Sequence, residues 1–170
     1  MFRKLNEDEI EIRVQSLTEK GAILLLYKDA RADMTILDET VGAMNWQREH
    51  KRDNANCVVS IWDKEKAMWI SKEDTGTESF TEKEKGLASD SFKRACFNWG
   101  IGRELYTSPF IWVKAEDITI TEKNGKYMTY DKFSVEKISY DGSKIDGLSI
   151  VTNKGKRVFI QKPKATNEKA

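Results

Sequence analysis

The stretch that most narrows the fold is Thr81 to Gly100, TEKEKGLASDSFKRACFNWG. Thr81 followed three residues later by Glu84 has the form of a capping box, and Gly100 supplies a stop, so the spacing predicts one long helix. At about 100° per residue, Leu87, Ala88, Ser91, Phe92, Ala95, Cys96 and Trp99 fall on one broad face. Such a face is buried only against a sheet or another helix. Lys83, Asp90, Lys93 and Arg94 occupy the opposite face together with Phe97. A bulky aromatic among those charges calls for a partner, either a second subunit or a base.

Upstream, residues 6–19 (NEDEIEIRVQSLTE) read as a helix capped by Asn6, with Ile10, Val14 and Leu17 at helical spacing and Gly21 as the stop. AILLLY reads as a short buried strand or a second helical turn. Asp33 is a good N-cap for MTILDETVGAM, in which Met34, Leu37, Val41 and Met44 share a face and Gly42 marks the end. Trp46 to Arg52 alternates as a strand. Cys57–Trp62 and Ala67–Ser71 are apolar on both faces, as central strands are, and the tight DKEK connection makes them a hairpin. Lys72 to Ser79 reads as a loop. From Asp117 onward short alternating strands are punctuated by Asn124-Gly125, Asp141-Gly142, Asp146-Gly147 and Lys154-Gly155, which predicts a small β-meander appended to the core. The fold class expected is therefore α+β. The expected division is a core over 1–113, a β-rich extension over 114–161 and a solvated basic tail over 162–170.

Composition limits the function. The 170 residues carry 29 Lys+Arg against 28 Asp+Glu, which excludes a polybasic protein holding nucleic acid by bulk charge. No apolar run approaches the ~20 residues that cross a bilayer, and the N-terminus lacks the apolar stretch of a signal peptide, so a cytoplasmic protein without a membrane partner is expected. Cys57 and Cys96 lie in apolar patterns without metal-ligand spacing and read as reduced core residues. No P-loop, nucleophile elbow or dinucleotide fingerprint occurs, and the one histidine, His50, reads as a surface or edge residue. The acids Glu73, Asp74, Glu78, Glu82 and Glu84 would suit a metal-dependent nuclease, but a hydrophilic loop and a helical first turn account for them equally. Binding chemistry is better represented. Trp46, Arg48, His50 and Arg52 alternate onto one strand face, and Lys93 and Arg94 sit side by side with Phe97 one turn on. Cations with aromatics nearby suit a groove for single-stranded nucleic acid, although a solvated charged face gives the same pattern.

Two stretches carry a resemblance. DARADMTILDETVGAMNWQREH (29–50), with its helix followed by Asn-Trp, resembles the opening block of the Rad-fifty-two-like single-strand annealing proteins, which include the Sak-type recombinases of bacteriophages. EDTGTESFTEKEKGLASDSFKRACFNWGIGRELY (73–106) resembles their second block through Ala88, Asp90, Phe92, Lys93, Arg94, Ala95, Trp99, Gly100, Leu105 and Tyr106. The resemblance implies a curved antiparallel sheet packed against a long helix, and subunits assembled in rings or filaments that anneal complementary single-stranded DNA without ATP. It implies backbone contacts from Lys93 and Arg94, and from Arg31 before the first helix. Arg48 and Arg52 are weaker candidates on an adjoining strand, and Phe97 is divided between a subunit interface and a base contact. Phe97 also stands where the family can carry another basic residue, and the β-rich segment has no counterpart in it.

The expectation is thus an oligomeric, ATP-independent single-stranded DNA annealing protein of phage recombination. A phage exonuclease or host single-strand-binding protein is the accessory partner to look for. Annealing breaks no bond, so neither catalytic residue, cofactor nor metal is expected. The rivals are a passive single-strand protector, a metal-dependent nuclease and a module that binds a host protein. Residues 1–113 carry 17 bases and 20 acids, while residues 114–170 carry 12 bases and 8 acids. The core must therefore segregate its cations, and Lys154, Lys156, Arg157, Lys162 and Lys164 form a second candidate DNA contact.

Overall fold

The computed structural model describes residues 1–77 and 83–163. Its fold is α+β, with antiparallel sheets and two helices, one of them long. The chain forms two compact units. One comprises Met1–Leu5 with Lys28–Arg103, and the other Asn6–Tyr27 with the chain from Glu104 onward. This division does not follow the 113/114 boundary expected from sequence, because the N-terminal strands belong with the C-terminal ones.

In the first unit, α1 spans Ala30–Val41 and α2 spans Lys83–Trp99. Strands β3 (Trp46–Lys51), β4 (Asn56–Asp63) and β5 (Met68–Thr75) form an antiparallel sheet in that order. Helix α2 lies on this sheet through the face that the spacing predicts, with Ser91, Phe92, Ala95 and Cys96 fully buried. It meets Cys57, Val59 and Ile61 of the central strand, and the Trp99 indole donates to the Val59 carbonyl at 3.0 Å. The helix ends as Gly100 predicts. Its φ of +98° lets its own N–H reach the Phe97 carbonyl (2.9 Å) and lets the Ile101 N–H reach the Cys96 carbonyl (3.1 Å), a Schellman closure. Thr81, the expected cap, lies outside the described residues.

Three expectations in this unit are corrected. Asp29 caps α1, accepting from the Arg31 N–H at 2.8 Å, so the helix starts earlier than an Asp33 cap allows. The buried face accordingly rotates to Ala32, Ile36 and Leu37, and Met44 is exposed. Only β4 is a covered central strand, since β5 is an edge, largely exposed, and continues through Thr75 where a loop was expected. Arg52 is not on β3: the strand ends at Lys51, and Arg52, Asp53 and Asn54 turn with φ of 52°, 51° and 69°.

In the second unit, β1 (Ile10–Thr18) and β2 (Gly21–Lys28) form a hairpin whose last residue, Lys28, enters the first unit. The helix expected over 6–19 is thus a strand, preceded by one 3-10 turn at Glu7–Glu9 in which the Glu9 carboxylate accepts from the Asn6 N–H at 2.8 Å. Ile10, Ile12 and Val14 also have the two-residue period of a strand, and partners on both sides decide between the periods. The sheet continues through β6 (Ile111–Lys114), β9 (Phe133–Asp141), β10 (Lys144–Thr152) and β11 (Arg157–Gln161), ordered β11-β10-β9-β1-β2-β6. The late strands are therefore not an appended meander; they complete the sheet begun by the N-terminal hairpin. Asn124-Gly125 turns the separate hairpin of β7 (Thr121–Lys123) and β8 (Lys126–Met128), as its sequence predicts. Asp146-Gly147 makes no turn; it lies within β10, where the register to β9 shifts in a bulge.

Candidate nucleic-acid interface

The predicted residues of the first unit divide between the two flanks of α2. Lys93 and Phe97, one helical turn apart, lie on the flank toward α1. The Lys93 charge depresses the carboxyl of Asp29 and opposes the upward shift of Asp33. Lys93 is half-buried and makes no hydrogen bond or ion pair among the described residues. Arg31, in the first turn of α1, is exposed and folds back on its own cap, with Nε 2.9 Å from Asp29 Oδ2 and Nη2 2.5 Å from it. Those bonds, first of all, hold Asp29 below the usual carboxylate range. Arg31 thus bonds Asp29 directly, and the Lys93 charge adds a smaller pull on the same carboxyl.

Arg94 faces the opposite flank, with Nε 3.3 Å from Oδ1 of Asp74 on β5. Asn98, one turn on, donates to the same carboxylate at 3.3 Å and to the Glu73 carbonyl at 3.0 Å. The acids that would suit a metal are therefore partners of other side chains: Asp74 as above, while the Glu73 carboxylate accepts from Asn56 at 2.6 Å. Glu78, Glu82 and the side chain of Glu84 lie outside the described residues. Among the described residues no group of three or more His, Cys, Asp or Glu side chains is placed to hold a metal.

On β3, Trp46, Arg48 and His50 do face the helix, as their alternation predicts. The Arg48 guanidinium stands 4.7 Å from the Phe92 ring centroid, and Trp46 stacks on the same ring at 6.1 Å. Phe92 is fully buried, so it serves as a plate beneath an exposed arginine. His50, half-buried on this edge strand, lies 3.4 Å from Ser91 Oγ, and burial followed by the Arg48 charge lowers its pKa. Arg52, in its turn, is displaced from this row. Cys57 and Cys96 are buried free thiols, and burial pushes the Cys57 thiol up to about 11.

The Phe97 ring has a partner within the chain. The Lys28 ammonium sits 4.0 Å from its centroid, with Lys28 itself buried at 2% exposure. Sequence reading does not single out Lys28, because a lysine closing an apolar strand ordinarily stands in solvent. It likewise misses Asp29 and Asp74 as counter-ions, and Arg103, whose guanidinium donates to the Phe97 carbonyl at 3.0 and 2.7 Å at the end of α2. No local signal distinguishes these from other surface charges.

The late cations of the second unit are engaged. Lys154 pairs with Asp131 at 2.7 Å, Lys156 with Asp117 at 2.8 Å, and Arg157 clasps Glu136 through two bonds of 2.6 Å that pull that carboxyl down to about 2. Lys162 is exposed, and Lys164 lies outside the described residues.

The fold and its side chains thus define an α+β protein whose helix-on-sheet unit carries cations and aromatics along one long helix. Over 98 residues the chain is 33% identical to the single-stranded DNA-binding protein DdrA of Deinococcus radiodurans, an alignment covering 56% of this chain and 47% of that protein. The chain thus spans about half the length of this curated relative. No protein-family profile matches the chain, and no solved structure matches it significantly. No helix among the described residues is long and apolar enough to cross a membrane.

Proposed function

We propose that this protein binds single-stranded DNA without sequence preference and anneals complementary strands, acting as an oligomeric ring or filament and needing no ATP. The observation that carries the reading is the likeness to a single-stranded DNA-binding protein in a chain whose α2 bears Lys93, a cation without an ion pair among the described residues, beside Arg94. The backbone of a single strand is held by Lys93, with Arg31 and Arg94 joining as they exchange a carboxylate for a phosphate, and Arg48 extends the path over Phe92. Phosphate contacts of this kind leave base edges free to pair with a complement. Repetition of the unit around a ring tethers many modest contacts on one strand, so near-neutral charge per subunit suffices. A phage recombination setting, with an exonuclease or host single-strand-binding protein as accessory, follows from the resemblance of residues 29–50 and 73–106.

The test is anisotropy of a labelled oligothymidylate, together with the annealing rate of complementary oligonucleotides and sizing of the protein. Salt-sensitive binding with accelerated annealing by an oligomer is expected; a monomer that leaves the annealing rate unchanged refutes the annealing reading. Binding without annealing is the second reading, a passive protector, which the relative's designation as a binding protein favours.

A further inference from the structure

We infer that Lys28 is a positioning residue for the proposed DNA-binding flank, locking the first turns of α1 to the end of α2 so that Arg31 and Lys93 act as one phosphate clamp. The inference rests on the single-stranded DNA reading above.

Lys28 ends the apolar run of β2 and immediately precedes the Asp29 cap. Its ammonium bonds Asp33 Oδ1 on α1 and donates to the Ile101 carbonyl, in the turn after α2, at 2.9 Å. The same ammonium lies over the Phe97 ring. One buried cation therefore joins the entry to α1, its first turns, the last turn of α2 and the closure beyond it. The fit leaves no slack, because a Cβ on Gly102, which has a φ of +72°, would stand 2.7 Å from Lys28 Cδ. Arg31 is two residues from Asp33, and Lys93 is one turn from Phe97. Whatever moves Lys28 moves these two cations relative to each other.

A buried pair of this kind is weak evidence for stabilisation. Both members are essentially inaccessible, and desolvation of two ions commonly cancels or exceeds their attraction, so well-packed apolar replacements are often neutral or stabilising. Satisfaction here is also incomplete: Asp33 Oδ2 accepts no bond from a nitrogen or oxygen donor among the described residues, and the Cys96 thiol is its polar neighbour. What the pair supplies that apolar side chains cannot is direction: a charged bond and a carbonyl bond converging on one nitrogen orient α1 on α2, where apolar packing would let it slide.

The experiment compares wild type with the full-length double variant Lys28→Met/Asp33→Leu, reading thermal stability, affinity for oligothymidylate and the slope of log affinity against log salt. The expected result is an unchanged or higher melting temperature, with affinity reduced about fivefold, and the slope shallower by about 0.7, for each phosphate that no longer meets its cation. A folded double variant with wild-type affinity and slope overturns the inference. A double variant that fails to fold overturns it too, because the pair would then be a stability element. If wild type itself does not bind the oligonucleotide, the underlying DNA reading has failed, and that outcome is seen without any variant. Asp33→Asn, which keeps the side-chain shape and the Lys28 bond to Ile101, is expected to fall between the two proteins in affinity.

Discussion

Lys93→Ala offers the most direct test of how α2 would hold a phosphate backbone. Lys93 has no hydrogen bond or ion pair among the described residues, so meeting a phosphate requires breaking nothing there. Its contact should then yield the full counterion release of a single-strand contact, about 0.7 in the slope of log affinity against log salt. At about 0.1 M salt that slope corresponds to roughly fivefold in affinity, about 1 kcal/mol. Arg94 must first leave Asp74, from which its Nε is 3.3 Å, and Arg31 must leave the Asp29 carboxylate it binds through two nitrogens. Each of those exchanges one anion for another, so Arg94→Ala and Arg31→Ala should each cost clearly less than Lys93→Ala. Removing Lys93 also leaves the negative charge of Asp29 and Asp33 less compensated, which adds to the loss. Anisotropy titrations of an oligothymidylate between about 50 and about 300 mM salt, expressed per bound subunit, give both quantities. An unchanged slope in Lys93→Ala, or a larger loss in Arg94→Ala, would refute the assignment of Lys93 as the free contact.

The counter-ion logic has a converse. Asp74→Asn releases Arg94, so its affinity for single strands should rise about two- to fivefold in the same titration, since one phosphate contact is worth roughly fivefold at most. Phe92→Ala removes a fully buried ring together with its stack on Trp46 and the plate under Arg48, and should cost about 3–5 kcal/mol in denaturant unfolding followed by tryptophan fluorescence. Trp46, Trp62, Trp69 and Trp99, four of the five tryptophans, report on that unit. The fourth expectation concerns pH. Burial raises the Asp33 carboxyl from 3.8 to about 6 against the pull of Lys28 and Lys93, so between those pH values the folded chain binds the extra proton and stability falls as pH rises. The lowered His50 acts in the opposite sense but is common to wild type and Asp33→Asn. The difference in melting temperature between the two proteins should therefore vary from pH 4 to pH 6 and level off above; a difference constant with pH across that window contradicts the raised carboxyl.

Much of the candidate interface is legible in the residue order because its rules are local. The buried face of α2 follows from the 3.6-residue period, its end from Gly100, and the β4–β5 hairpin from a short polar connection between apolar runs. The placement of Arg48 toward the helix follows from the two-residue alternation of β3. Arg52 escapes that alternation because a turn with positive φ intervenes, and turn conformation at three successive non-glycine residues has no clear signature. Residues 6–19 satisfy both periods, and only their neighbours in the sheet choose between them. Asp29 and Asp33 are equally good caps by residue type; Asp33 is taken by a lysine that the chain path brings to it, leaving Asp29 to the helix end.

The amino-acid order alone determined that the chain is α+β, that a long amphipathic helix keeps Lys93 and Arg94 off its buried face, and that net charge cannot attract a polyanion. These depend on periodicity and composition, which act over one or two turns. Tertiary structure decided which cations are paired among the described residues. Lys154, Lys156 and Arg157 are neutralised by acids from other strands and turns, Arg94 and Arg31 are held by Asp74 and Asp29, and Lys93 makes no hydrogen bond or ion pair among the described residues. It also decided that Lys28 is buried against α1 and α2 rather than solvated. The reason is that a Coulomb interaction depends on distance and dielectric, and both are set by which elements pack together and not by the order of residues along the chain.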